Sequence, residues 1–129
     1  AHEIGLSLPA TSERLKRLEE AGVIAGYRAV VQPESVGYGV TAVIGMTTMK
    51  SDKVRLISIL KQKPEVVECL HVTGQDSYLL RVVTEDLQHL EDFVGSINAY
   101  GETRTSIVMS QPIRLRAITE PSERSEKRY

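Results

Sequence analysis

The chain is poor in large aromatic residues, cysteine and net charge. Its 129 residues include no tryptophan, one phenylalanine and one cysteine, and its formal net charge is −1. Because the single cysteine, Cys69, cannot form an internal disulfide, we expect a cytoplasmic protein. No apolar run approaches the roughly 20 residues that cross a bilayer, so no membrane partner is expected. The near balance of charge excludes a global basic field. Any affinity for nucleic acid has to come from a local patch, reinforced by several copies.

The residues that carry chemistry are not grouped in the patterns that enzymes use. The sequence shows no nucleophile beside a base, no carboxylate pair on a predicted cleft and no phosphate-binding loop, so neither catalysis nor a cofactor is predicted. Cys69 and His71 lie two residues apart, but a metal site needs three or four ligands, and packing or a solvated edge is favoured instead. RNA binding through stacked bases requires aromatic side chains on central strands, where only Tyr78 stands.

A local basic patch lies in the segment Leu6–Tyr27. Ser7 or Pro9 can begin a helix there, since serine caps well and proline is tolerated in the first turn, and Gly22 can end it. This pattern is typical of the recognition helix of a helix-turn-helix domain, which enters the major groove of DNA. From charge alone, a solvated helix balanced by its own glutamates is the alternative. The candidate DNA contacts are Ser7, Thr11, Ser12, Arg14, Lys16 and Arg17.

The sequence predicts two domains and a connection between them. Residues 1–26 are predicted to be a partial helix-turn-helix domain, in which the end of an earlier helix runs into Gly5. Residues 27–39 are predicted to be a connecting strand and hinge, with a short strand over Gly26–Val31. Residues 40–118 form the second domain, and residues 119–129 a polar, frayed tail.

The second domain is predicted to be a ferredoxin-like βαββαβ domain with an antiparallel sheet, which makes the whole chain α+β. Helical spacing of apolar residues marks a helix from Ser51-Asp52 to Pro64 and another capped by Thr84 and ended by Gly101. The predicted strands are Val40–Met49, Val66–Thr73, Tyr78–Val83 and Thr103–Ser110, with Ile113–Ile118 as a continuation or a fifth strand.

The first strand of this domain is predicted to have apolar groups on both faces. One face carries Val40, Ala42, Ile44 and Met46, and the other carries Thr41, Val43, Thr47 and Met49. In the ferredoxin-like fold both helices cover the same face of the sheet and leave the other bare. A bare face with apolar groups predicts a partner, most simply a second copy that stacks sheet on sheet.

This order of elements resembles the leucine-responsive regulatory protein and asparagine-synthase regulator family of prokaryotic transcription factors. Three stretches carry the resemblance: Arg14–Tyr27, Glu68–Leu80 and Thr103–Met109. The resemblance implies a homodimer built through the C-terminal domains, often assembled into a tetramer of dimers, that is, an octamer. It also implies that small ligands, typically amino acids, bind between dimers and change assembly or DNA affinity.

The turn at residues 74–78 of this chain resembles the effector-binding loop of the family. Backbone N–H groups near a glycine can hold a ligand carboxylate, and an acidic side chain can pair with its amino group. The chain departs from the family here, because acids are common at the second and fourth positions of the loop and this chain has Gln75 and Ser77 there. A plain β-turn is the alternative. The predicted effector contacts are Gly74, Gln75, Asp76 and Tyr78, with Thr103, Arg104 and Thr105 as the wall that a neighbouring copy supplies.

The sequence therefore predicts a DNA-binding transcriptional regulator whose assembly or DNA affinity responds to a small effector, an amino acid. Its expected partners are double-stranded DNA, the effector and further copies of itself. The alternative is a stand-alone ligand-sensing and oligomerisation module that lacks DNA binding. The basic residues of the first helix argue against this alternative, since a pure sensor has no need of Arg14, Lys16 and Arg17.

Overall fold

A computed structural model describes residues 7–121 of the chain. It divides into two compact units, Ala1–Val31 and Gln32–Tyr129. The predicted end of an earlier helix at residues 1–5 and most of the predicted polar tail lie outside the described residues.

The described part of the first unit, residues 7–31, contains one helix, α1, over Leu8–Glu20. Ser7 is its N-cap, and the Ser7 hydroxyl oxygen accepts a hydrogen bond from the Ala10 N–H at 3.3 Å. At the other end, the N–H groups of Val23 and Ile24 donate to the Leu18 carbonyl, and Gly22 adopts a positive φ of 78°. A left-handed residue after the last turn is a common way to end a helix, and glycine adopts it without strain. The predicted start and end are thus confirmed.

The strand predicted over Gly26–Val31 is wrong. These residues are irregular, and Tyr27, Val30 and Val31 are largely exposed, Val30 to 91%. A strand exists only where a neighbouring segment completes its hydrogen bonds, and no described segment of this chain pairs with residues 26–31. A 3₁₀ turn over Pro33–Val36 follows.

The second unit has the predicted βαββαβ order and is a ferredoxin-like domain. Its elements are β1 Val40–Thr47, α2 Lys53–Leu60, β2 Val66–His71, β3 Tyr78–Thr84, α3 Leu87–Ile97 and β4 Glu102–Ile107. The four strands form one sheet in the order β2-β3-β1-β4, and each neighbouring pair is antiparallel. The α+β fold class is therefore confirmed.

Two local predictions in this unit need correction. No strand forms over Ile113–Ile118 in the described chain, and Leu115 there is 91% exposed. The pairing of β4 with β1 ends where the Val108 N–H donates to the Thr41 carbonyl, and Pro112 has no N–H with which to continue a ladder. The cap of α3 is Asp86 instead of Thr84, because β3 runs one residue further than predicted and includes Thr84.

The core lies between one face of the sheet and both helices. From β1, the side chains of Ala42, Ile44 and Met46 are at most 1% exposed, as the alternation predicted. Neither α2 nor α3 covers the opposite face of the sheet, and Leu70 there is 48% exposed. The residues that pack against the three β1 side chains include Leu56 and Leu60 of α2, Leu80 and Val82 of β3, and Leu90, Phe93 and Ile97 of α3.

A hydrogen bond between His89 and Glu65 ties the start of α3 to the turn before β2. His89 Nε2 lies 3.0 Å from Glu65 Oε2, while His89 Nδ1 accepts from the Glu85 N–H at 3.0 Å. Since Nδ1 accepts, Nε2 carries the proton and donates to Glu65. This hydrogen bond holds the pKa of the Glu65 carboxyl below its ordinary value.

We expect the Glu65 carboxylate to make stability fall in acid. A pKa lowered by folding stabilises the folded state above the ordinary glutamate pKa, and this contribution is lost as the pH falls through the folded value. Glu65→Gln keeps an acceptor for His89 and removes the titration. Urea unfolding at pH 7 and in steps down to about pH 3, spanning the ordinary glutamate range, is expected to show wild type losing about 0.5–1 kcal/mol more than the variant. Equal losses would contradict this assignment.

Candidate functional site

Two of the predicted DNA contacts, Arg14 and Arg17, lie together on α1. Both are exposed, and with Ala10 and Leu18 they line a shallow groove on the helix. The spacing of three residues places the two guanidinium groups on adjacent turns of the same side. This side of the helix can therefore present two forked donors to one stretch of nucleic-acid backbone or to base edges.

The other predicted contacts lie at different places on the helix, and Thr11, three residues before Arg14, is on the same side as the arginine pair. Successive residues of an α-helix are rotated by about 100° around its axis. Ser12 and Lys16 are each two residues from Arg14, so each lies about 160° around the helix from it, in opposite directions. Thr11 is half-buried beside Leu18, and its hydroxyl is buried with no hydrogen-bond partner among the described residues. Ser7 serves as the helix cap. The structure thus places Thr11, Arg14 and Arg17 on neighbouring turns of one side of α1, Ser12 and Lys16 on the far side, and Ser7 at the start of the helix.

Glu19 of α1 accepts a hydrogen bond from Tyr27, which follows the helix. The Tyr27 hydroxyl donates to Glu19 Oε1 at 2.6 Å, and this hydrogen bond to a carboxylate raises the pKa of Tyr27 above its ordinary value. The contact fixes Tyr27 to the last turn of the helix. Within the described chain, Arg14 and Arg17 form no ion pair.

The predicted effector loop connects β2 to β3 and is fastened to the end of β1. The Ser77 N–H donates to the Met46 carbonyl at 2.7 Å, and the Thr48 N–H donates to the Ser77 hydroxyl at 3.2 Å. Gly74 adopts a φ of 115°, which favours glycine, so the turn itself depends on that residue. Ser77, which stands where the family often has an acid, is used to anchor the loop.

Asp76 of this loop pairs with Arg104 of β4. The Arg104 Nη2 group donates to Asp76 Oδ1 and also to the Thr47 hydroxyl, which lies 3.2 Å away. The Thr47 hydroxyl in turn donates to the Gln75 carbonyl at 3.3 Å. A network of hydrogen bonds, charge-assisted at Arg104, therefore joins the loop, β1 and β4 on the face of the sheet opposite α2 and α3.

Gly45 makes room for this ion pair. A Cβ atom at position 45 would lie 2.6 Å from Asp76 Oδ2, closer than real atoms approach. Gly45 is opposite Arg104 in the register of β1 and β4, so the missing side chain leaves the space that the Asp76 carboxylate fills. Neither Gly45 nor Thr47 was among the predicted site residues. A glycine in the interior of a strand is the signal that could have identified this close approach.

The remaining predicted effector residues lie on the other face of the sheet. Tyr78 is buried in the core and its ring lies 5.1 Å from that of His71. Thr103 and Thr105 are opposite Met46 and Ile44 in the register, so both point to the helix side. Thr105 lines an open groove of about 650 Å³ beside α3. The structure thus brings Asp76, Arg104 and the Gln75 backbone together and separates them from Tyr78, Thr103 and Thr105.

The described part of the chain shows no cluster of three or more side chains suited to a metal ion. Partial burial raises the pKa of the Cys69 thiol, which lowers its thiolate fraction at neutral pH. No described helix is long and apolar enough to cross a membrane.

Comparison with known proteins identifies both units. Residues 41–118 match the model of the Lrp/AsnC ligand-binding domain, and residues 1–25 match that of a winged helix-turn-helix DNA-binding domain. The chain belongs to the Lrp/AsnC family. The resemblance inferred from the sequence is thereby confirmed, and so is the prediction that the protein is not an enzyme, since this is a family of transcriptional regulators.

Relatives and solved structures of the family are similar over most of the chain. The uncharacterized HTH-type transcriptional regulator YezC of Bacillus subtilis is 40% identical over 83% of this chain and 76% of its own length. The transcriptional regulator of Neisseria meningitidis in complex with L-methionine has a TM-score of 0.80 and 28% identity, covering 90% of this chain and 79% of that one. A feast or famine regulatory protein of Mycobacterium tuberculosis, complexed with L-methionine, has a TM-score of 0.74 and 32% identity, covering 92% and 82%.

Proposed function

We propose that this Lrp/AsnC protein is a cytoplasmic, sequence-specific regulator of transcription that binds double-stranded DNA through α1. The observation that supports this most strongly is the pair Arg14 and Arg17, exposed on one side of a helix in the part of the chain that matches a DNA-binding model. Two adjacent guanidinium groups suit phosphates and the guanine edge in the major groove. A net charge of −1 means that this local pair, presented by more than one copy, has to supply the attraction.

In the proposed mechanism a small amino acid changes assembly or DNA affinity. Two solved relatives contain L-methionine, which supports this class of effector. The contacts come from the loop at residues 74–78 together with Arg104, which lies beside it on β4. An effector acts only through a difference in its affinity for two states of the protein, so the amino acid has to bind the DNA-binding arrangement more or less tightly than the other.

The proposed assembly is a homodimer that forms further into a tetramer of dimers. The uncovered face of the sheet supports it, since half-buried and exposed apolar side chains lie there beside ion pairs. Its residues include Val43, Leu70, Leu79 and the pair Arg81–Glu68, whose nitrogen and oxygen lie 3.3 Å apart. Stacking of two such faces buries these groups at the usual spacing of packed sheets.

Selection from a randomised duplex library tests the proposed DNA binding directly. We expect the protein to enrich a sequence with two related half-sites, because a symmetric dimer presents two copies of α1. No enrichment above the starting library would contradict the proposal and favour the stand-alone sensing module.

The dimer proposal predicts the effect of a charge at Leu70. Leu70→Lys places an ammonium group on the uncovered face of the sheet, and burying that charge between two copies is unfavourable, so dissociation at micromolar concentration is expected. Val54→Lys is the matched control, since Val54 is 83% exposed on α2. Light scattering distinguishes the 14.3 kDa chain from its multiples. An unchanged mass for Leu70→Lys would place the dimer contact elsewhere.

A further inference from the structure

Within the described chain, the Asp76–Arg104 pair leaves neither edge of the Arg104 guanidinium free to bind a second carboxylate through two hydrogen bonds. A guanidinium binds a carboxylate in the bidentate manner through two parallel N–H groups, which belong to either the Nε/Nη2 edge or the Nη1/Nη2 edge. Both edges need Nη2. Within the described chain Nη2 already donates to Asp76 and to Thr47, which uses both of its protons. A second carboxylate can therefore bind Arg104 in the bidentate manner only after one of these acceptors is displaced.

Asp76 is the acceptor that can be displaced at the lower cost. Its carboxylate belongs to a surface loop, whereas Thr47 is part of β1, between β3 and β4 in the sheet. The Asp76 carboxylate lies over Gly45, and a side chain at position 45 would collide with it. Movement of the Asp76 side chain away from Gly45 breaks no strand ladder, and about two-fifths of the Arg104 side chain is exposed in the single copy.

We propose that the Asp76 carboxylate occupies the place of an effector carboxylate on Arg104, and that a small carboxylate ligand binds by displacing it. This rests on the proposed function, in which the ligand is an amino acid. Arg104 is then the receptor for the ligand carboxylate, and Asp76 is an internal competitor. This assignment reverses the role that the sequence predicted for an acid of this loop, which was to pair with the ligand amino group.

The two roles of Asp76 predict opposite results for the same substitution. Asp76→Asn keeps the shape of the side chain and removes its charge, so the pair with Arg104 is weakened. If Asp76 competes with the ligand, amino-acid affinity rises, by about two- to fivefold for a partly exposed ion pair. Arg104→Gln removes the receptor and is expected to weaken binding more than about tenfold, as for other charge-assisted contacts. Glu34→Gln is the matched control, because it removes one negative charge from an exposed glutamate in the turn Pro33–Val36, outside the sheet.

Calorimetric titration of the whole chain with each of the twenty proteinogenic amino acids, L-methionine first, tests the inference. We expect at least one to bind, with the ranking Asp76→Asn tighter than wild type and Arg104→Gln weaker, while Glu34→Gln is unchanged. The carboxamide of the bound amino acid is expected to bind weakly to wild type, since it cannot replace a carboxylate on Arg104.

Three results would overturn the inference. Weaker binding by Asp76→Asn would make Asp76 the receptor of the amino group. Equal binding of the amino acid and its carboxamide would exclude recognition of the carboxylate. If neither wild type nor Asp76→Asn binds any amino acid, the proposed ligand does not exist. In each case enrichment of a specific duplex from the library would still support DNA binding, so failure of the inference is distinct from failure of the proposed regulator.

Discussion

Replacing Arg14 with alanine is expected to weaken binding of the selected duplex by about 1–3 kcal/mol for each copy that contacts it. Arg14 lies beside Arg17 on the exposed side of α1. Loss of its guanidinium removes donors that water replaces only in part. If Arg14 contacts phosphate alone, the salt dependence of binding falls and all sequences are affected alike. If it contacts a base, discrimination at one position is lost.

Arg55→Ala is the matched control for this prediction. Arg55 is exposed on α2 of the other unit, so the change in charge is the same and the location differs. Fluorescence anisotropy at one fixed salt concentration compares the three proteins, since affinities for DNA have meaning only at a stated salt concentration. Light scattering is expected to show the same mass for all of them. Wild-type affinity in Arg14→Ala would contradict the assignment of α1 as the recognition helix.

Leu80→Ala is expected to destabilise the second unit by about 2–5 kcal/mol, the usual range for a buried leucine. Leu80 is 1% exposed at the centre of the sheet, where β3 lies between β1 and β2. Truncation leaves a cavity against both helices, and that cost adds to the lost burial of the side chain. Since small domains have only about 5–15 kcal/mol of stability, this change removes a large fraction of the free energy of unfolding.

The same substitution at Leu115 serves as the control, because Leu115 is 91% exposed in the segment after β4. Its effect on unfolding is expected to stay within about 0.5 kcal/mol. Urea unfolding followed by circular dichroism measures both variants. A similar loss of stability for the two would show that the core does not lie where the buried side chains of β1, β3, α2 and α3 place it.

Periodicity predicted the parts of the fold that the chain stabilises by itself. The alternation of Ala42, Ile44 and Met46 identified the buried face of β1, and helical spacing from Leu90 to Ile97 identified α3. These patterns are reliable because each records burial against the same core.

Segments whose partners lie elsewhere were not predictable in the same way. Residues 26–31 end in the apolar run Ala29–Val31, and residues 113–116 alternate between apolar and polar, yet neither segment forms a strand in the described chain. A favourable pattern does not supply the neighbour that a strand needs. The N-cap of α3 was misplaced for a different reason. Thr84 and Asp86 both suit a cap, and the pairing of Thr84 with Val40 in the sheet decides between them.

The candidate effector site was predictable only in outline. The resemblance to the family indicated the loop and β4, but the period of two along a strand places Arg104 on one face of the sheet and Thr103 and Thr105 on the other. A set of consecutive strand residues cannot line one site within a single copy. The role of Gly45 depends on a contact between residues 31 positions apart in the sequence, and such a contact is visible only in three dimensions.

The central claim is that an amino acid changes the affinity of this protein for DNA. It is tested most directly by anisotropy titration of the selected duplex at fixed salt, without ligand and with each of the twenty amino acids. The account predicts that at least one amino acid changes the affinity by about fivefold or more, the usual lower limit of coupling between two sites. The same affinity with every amino acid would contradict it.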